Sequence, residues 1–182
     1  MELKSCTEEV NEYLYRVKDA IKNPSYSIFF ILVIPFLIAL IWVLFDIGMM
    51  SKTLGALFFT FSPFLILDIF IVPFIALAYY AYYAGNKLSA AALGLLMYPL
   101  MLIYVPPMHA ILNFEFEQLG RFFAWSMVFS NIDEFLPFSF VHALMGYLVA
   151  FRKKEYCISA LLLFIIQAVI FFIIYTNFMW GL

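Results

Sequence analysis

The sequence predicts an all-α fold, a polytopic membrane helical bundle of about five transmembrane helices with the N-terminus inside and the C-terminus outside. Three observations lead there. The chain of 182 residues is 66% hydrophobic and 12% charged, whereas soluble domains carry about 25% charged residues. The stretch from Leu54 to Gly85 holds one formal charge, Asp68, in 32 residues. Soluble domains almost never bury an unpaired carboxylate in so apolar a run. The third observation is the uneven spread of the basic residues between the apolar runs, which fixes the orientation.

Residues 1–26 hold nine of the 22 Asp, Glu, Lys and Arg residues. Thr7 is positioned to cap a helix with Glu8 and Glu9 in its first turn and Lys18 and Lys22 near its end, an order that complements the helix dipole. Glu12 and Arg16 have i, i+4 spacing, and Val10, Leu14, Val17 and Ile21 line one apolar face. Asn23-Pro24 ends the helix. The segment reads as an amphipathic helix on the membrane surface or against the bundle. It is not a signal peptide, because its start is polar and the apolar run begins too late.

The membrane domain covers residues 27–182. A first span runs from about Tyr26 to Phe45, with Pro35 inside. As a single helix, Leu54–Gly85 would extend about 48 Å across a hydrocarbon core of about 30 Å, whereas two full spans need about 40 residues. It therefore reads as one long helix starting near Ser62-Pro63 and kinked at Pro73, with an interfacial or re-entrant lead-in. A pair of half-spans is the alternative. The third span runs from Ser89 to Val105 and ends at Pro106-Pro107. Residues 108–134 mix charges with aromatics and read as an interfacial segment. The fourth span covers about Phe135–Phe151, and the fifth about Cys157–Phe178. This topology puts Lys4, Arg16, Lys18, Lys22, Lys87, Arg152, Lys153 and Lys154 inside, and only Lys52 and Arg121 outside.

Asp68 has only apolar neighbours at three and four residues on its own helix: Phe64, Leu65, Ile71 and Val72. Its partner must come from another span. Tyr98, His142 and Gln167 lie at comparable depth, so the four are expected to form an intramembrane polar cluster. An Asp68/His142 pair is chemically able to carry a proton or bind a cation. The bland alternative is a protonated Asp68 bonded to a tyrosine or amide, with Gln167 and His142 acting as helix glue. Ala90 with Gly94, and Ser139, Ala143, Gly146 and Ala150, form small-residue faces suited to close helix contact. Self-association or contact with other membrane proteins through these faces is the expected mode of partnership, with the lipid bilayer as solvent.

The motifs of intramembrane enzymes are not found: no HExxH, no GxS nucleophile turn and no Gly-x-Gly-Asp. Asp133-Glu134 has no matching downstream Arg. Cys6 and Cys157 have no zinc-like or disulfide-framework spacing. No cofactor or metal is expected, and a net charge of −2 gives no electrostatic case for nucleic acid.

Three segments carry a family resemblance: IKNPSYSIFF leading into the first span, GNKLSAAALGLLMYPLMLIYVPP, and VHALMGYLVAFRKKEYCISALLL joining the last two spans. Over about residues 18 to 178 the chain resembles the Yip (Ypt/Rab-interacting protein) family of integral membrane proteins, including its prokaryotic branch. The resemblance implies five spans with the N-terminus inside and the C-terminus outside. It carries over no catalytic residue. It implies a non-enzymatic scaffold or partner-binding subunit of a membrane. The alternative is a small ion or proton channel or transporter using Asp68 and His142.

Overall fold

The computed structural model describes the backbone of residues 6–50, 70–112, 114 and 125–180, and side chains over most of that range. The described residues form six helices and no strand: α1 Cys6–Lys22, α2 Ser27–Met50, α3 Val72–Ala84, α4 Lys87–Leu112, α5 Trp125–Val149 and α6 Lys154–Trp180. A 3-10 turn, Pro24–Tyr26, links α1 to α2. Three helices are long and apolar enough to cross a membrane, through Ser27–Leu44, Lys87–Leu112 and Lys154–Ile173. At 1.5 Å per residue, their 18, 26 and 20 residues suit a hydrocarbon core of about 30 Å. Val72–Ala84 and Leu136–Val149 are shorter apolar helices.

The α4–α5 contact is the most extensive, followed by α2–α4. Helix α6 packs on α5, and α3 lies against both α4 and α5. The order α2–α4–α5–α6 is therefore a row, with α3 laid across its middle. Helix α1 packs against α3. Its apolar face is used unevenly, since Ile21 is buried while Val10 and Leu14 stay exposed. The Glu12–Arg16 pair forms at 2.8 Å on the exposed side, where such pairs contribute little. The helix already includes Cys6, so Thr7 lies within it.

Two elements differ from the sequence expectation. Pro106-Pro107 does not end the third span: α4 runs through both prolines to Leu112, with His109 in its last turn. Each proline removes one donor to the carbonyl four residues back, but an apolar helix packed on neighbours tolerates that loss. The region expected as an interfacial segment is likewise divided. Residues 108–112 close α4, and Trp125 to Glu134 form the first turns of α5. The start of the long span, including Ser62-Pro63 and Asp68, lies outside the described residues. Its described end opens with a π-type turn at Phe70 and Ile71, and Pro73 follows in the first turn of α3.

The Gly-Asn-Lys turn has a defined mechanism. Gly85 takes φ 63° and its N–H bonds the Ala81 carbonyl, closing α3. Asn86 then caps α4, its Oδ1 accepting from the N–H groups of Leu88 at 3.1 Å and Ser89 at 3.2 Å. Across from this turn, Arg152 donates from Nε to the Tyr82 carbonyl and from Nη2 to the Tyr83 carbonyl, both at 2.7 Å. Arg152 holds φ 57°, a left-handed conformation that costs roughly 1–2 kcal/mol in a non-glycine residue. The two charge-assisted bonds offset that cost and satisfy the end of α3.

Candidate functional site

The site is built on the seam between α4 and α5, which run antiparallel. A Cβ placed on Gly94 would meet the His142 carbonyl carbon at 2.5 Å, and one on Gly146 would meet the Ala90 carbonyl oxygen at 2.5 Å. Both are shorter than any comfortable contact, so the two glycines set how close the helices come. Ala90, Gly94, Ser139, Gly146 and Ala150 are buried, and Ala143 is partly buried. Ala90, Gly94, Ala143 and Gly146 meet one another here within one chain.

Gly94 and Tyr98 are one turn apart on α4, as are Phe138 and His142 on α5. The register that brings Gly94 under the His142 backbone also brings the Tyr98 hydroxyl to 3.2 Å from His142 Nε2. His142 Nδ1 lies 3.1 Å from the Phe138 carbonyl. A carbonyl can only accept, so Nδ1 carries the proton and Nε2 accepts from the Tyr98 hydroxyl. Gln167, from α6, brings its amide nitrogen within 3.4 Å of His142 Nδ1. Both nitrogens in this approach are donors in that tautomer, so Gln167 packs on the imidazole without a hydrogen bond to it. The result is a one-way chain of donors: Tyr98 to His142, and His142 to Phe138.

This chain is dry. His142 is 0% exposed, Tyr98 3% and Gln167 4%. Phe70 packs on Tyr98, Phe138 and Phe171, with ring centroids 6.3, 5.5 and 4.6 Å away, and closes one side. Beside the chain, Gln167 Oε1 is buried and has no hydrogen-bond partner among the described residues. An unpaired buried acceptor costs about 1–3 kcal/mol.

Of the four residues expected to converge, the structure brings Tyr98, His142 and Gln167 together; Asp68 lies outside the described residues. No group of three His, Cys, Asp or Glu that could hold a metal occurs among the described residues. Sequence reasoning did not single out Arg152, which ties α3 to the α5–α6 turn. The signal was present in an Arg next to a helix end, but its target carbonyls lie 69 and 70 residues away. No family model matches the chain, and no curated protein or solved structure matches it either.

Proposed function

We propose that the chain is a non-enzymatic, multi-pass integral membrane protein that acts as a scaffold or partner-binding subunit of the Yip-like kind. It has five spans, with the N-terminus inside and the C-terminus outside. One observation carries this reading. His142 in the seam is fully buried, and both of its ring nitrogens are engaged by neighbours. A group used in that way holds helices together and does not meet a solute. Partner contacts then fall on outer faces such as that of α6, where Leu162, Ile166 and Ile170 are exposed.

A second reading rests on the open acceptor at Gln167. A small proton or ion pathway would use it with His142 and Asp68. The two readings separate in proteoliposomes loaded with a pH-sensitive dye. A scaffold gives proton flux equal to that of empty vesicles, and Asp68→Asn leaves it unchanged. Flux above that level, lost in Asp68→Asn, overturns the scaffold reading. A pull-down from native membranes in mild detergent, with the same variant in parallel, then identifies the partner.

A further inference from the structure

Three segments far apart in the chain bring cations to one junction. Lys18 of α1 sits with its Nζ 5.0 Å from the centre of the Tyr83 ring. Lys87, at the start of α4, places its Nζ 3.7 Å from the centre of the Phe151 ring. Arg152 follows Phe151 and bonds the carbonyls of Tyr82 and Tyr83. The three are thus tied to the same end of α3 and the turn that follows it.

The helix explains part of this. The last carbonyls of α3 attract a cation, and Arg152 supplies one. Its Nη1 remains without a protein partner among the described residues, and neither lysine touches those carbonyls. Each ammonium lies against a ring on one side and still has N–H donors to give. No carboxylate of the described residues comes within ion-pair distance, about 4 Å, of Lys18, Lys87 or Arg152. Asp19 and Glu155, the acids nearest in sequence, make no such pair. Lys153 and Lys154 adjoin and are exposed. Like charges gathered without an acid repel one another, and the arrangement is relieved by an anion.

We infer that the junction of α1, the α3–α4 turn and the α5–α6 turn binds the phosphodiester of an anionic phospholipid. The planar guanidinium and two ammonium groups suit phosphate oxygens. Basic sites between helices at the membrane surface recognise anionic head groups in this way. The surroundings select a lipid over a free ion. Leu88, beside Lys87, is 79% exposed, and Tyr79 and Tyr82 are also exposed. Apolar and interfacial side chains therefore border the cations where acyl chains would continue from the head group. The inference needs only the membrane setting and is independent of whether the protein is a scaffold or a conductor.

The test uses the full chain in a non-ionic detergent and native mass spectrometry. Equal amounts of phosphatidylglycerol and phosphatidylcholine with the same acyl chains are added, and retained lipid is counted. Wild type is expected to keep phosphatidylglycerol about ten-fold better, ~1.4 kcal/mol. The double variant Lys18→Gln/Lys87→Gln is expected to lose that preference. Arg16→Gln, which removes the same kind of charge from a residue already paired with Glu12, is expected to keep it. Should the double variant fail to fold, each single lysine variant gives about a three-fold loss, near half of the whole on a logarithmic scale. Equal retention of the two lipids overturns the inference, as does an equal loss in Arg16→Gln. So does complete displacement of the lipid by millimolar inorganic phosphate, which would make the ligand a free anion.

Discussion

Replacing Gly94 with alanine is the sharpest probe of the α4–α5 seam. The added Cβ would stand 2.5 Å from the His142 carbonyl carbon and 2.7 Å from the Ala143 nitrogen. Comfortable contact is about 3.5–4.0 Å, so the helices must part by about 1 Å. The obstructing atoms are backbone and cannot turn aside as a side chain would. The same opening stretches the 3.2 Å bond from Tyr98 to His142 beyond hydrogen-bond range. Overpacking costs about 1–3 kcal/mol, and a lost interhelical bond adds about 0.6 kcal/mol. Alanine's helix preference over glycine returns about 1 kcal/mol. The net is a loss of about 0.6–2.6 kcal/mol, which lowers the melting temperature by roughly 2–8 °C in a chain of this size. Circular dichroism in detergent reads the shift, with Leu88→Ala at an exposed site as control. A melting temperature equal to or above wild type would refute the close approach, because only helix propensity would then remain.

Two further predictions probe separate devices. Tyr98→Phe removes the first donor of the chain and strands the His142 acceptor. Stability should fall by about 1 kcal/mol, and a double-mutant cycle with His142→Phe should show coupling between the two positions; additivity would mean that the bond contributes nothing. Asn86→Ala removes the acceptor shared by Leu88 and Ser89 and should cost about 1 kcal/mol. Asn86→Asp, which keeps that acceptor, should melt within a degree or so of wild type; a loss equal to that of alanine would argue against the cap.

Helix content, three of the apolar spans and the meeting of Tyr98, His142 and Gln167 were legible in the sequence. Tyr98, His142 and Gln167 are the polar groups at matching depth in three apolar runs. In hydrocarbon such groups must bond to one another, so depth alone pairs them. The expected helix end at Pro106-Pro107 followed a rule taken from water, where a broken helix is rescued by solvent hydrogen bonds. Inside a packed apolar helix, continuing the helix costs fewer unpaired groups than ending it, and α4 continues. The same logic extends α5 back through the polar residues Ser130, Asn131, Asp133 and Glu134 to Trp125. The Arg152 clamp was not legible, because local spacing cannot show which distant carbonyls a side chain reaches.

Glycine and polar positions in the seam act together. Lipid tails are as apolar as leucine, so no hydrophobic force drives α4 onto α5 once both are in a membrane. Gly94 and Gly146 let the backbones approach, but two smooth small-residue faces can also slide along one another. A slip of one turn, about 5.4 Å, keeps small residues opposed to small residues over much of the seam. It would not keep Tyr98 opposite His142. Both would be left without a partner in a dry interior, at about 1–3 kcal/mol for each stranded group. The glycines therefore set the distance between the helices, and the Tyr98–His142 bond sets their register. That division of roles accounts for a fully buried histidine beside the glycines of the seam.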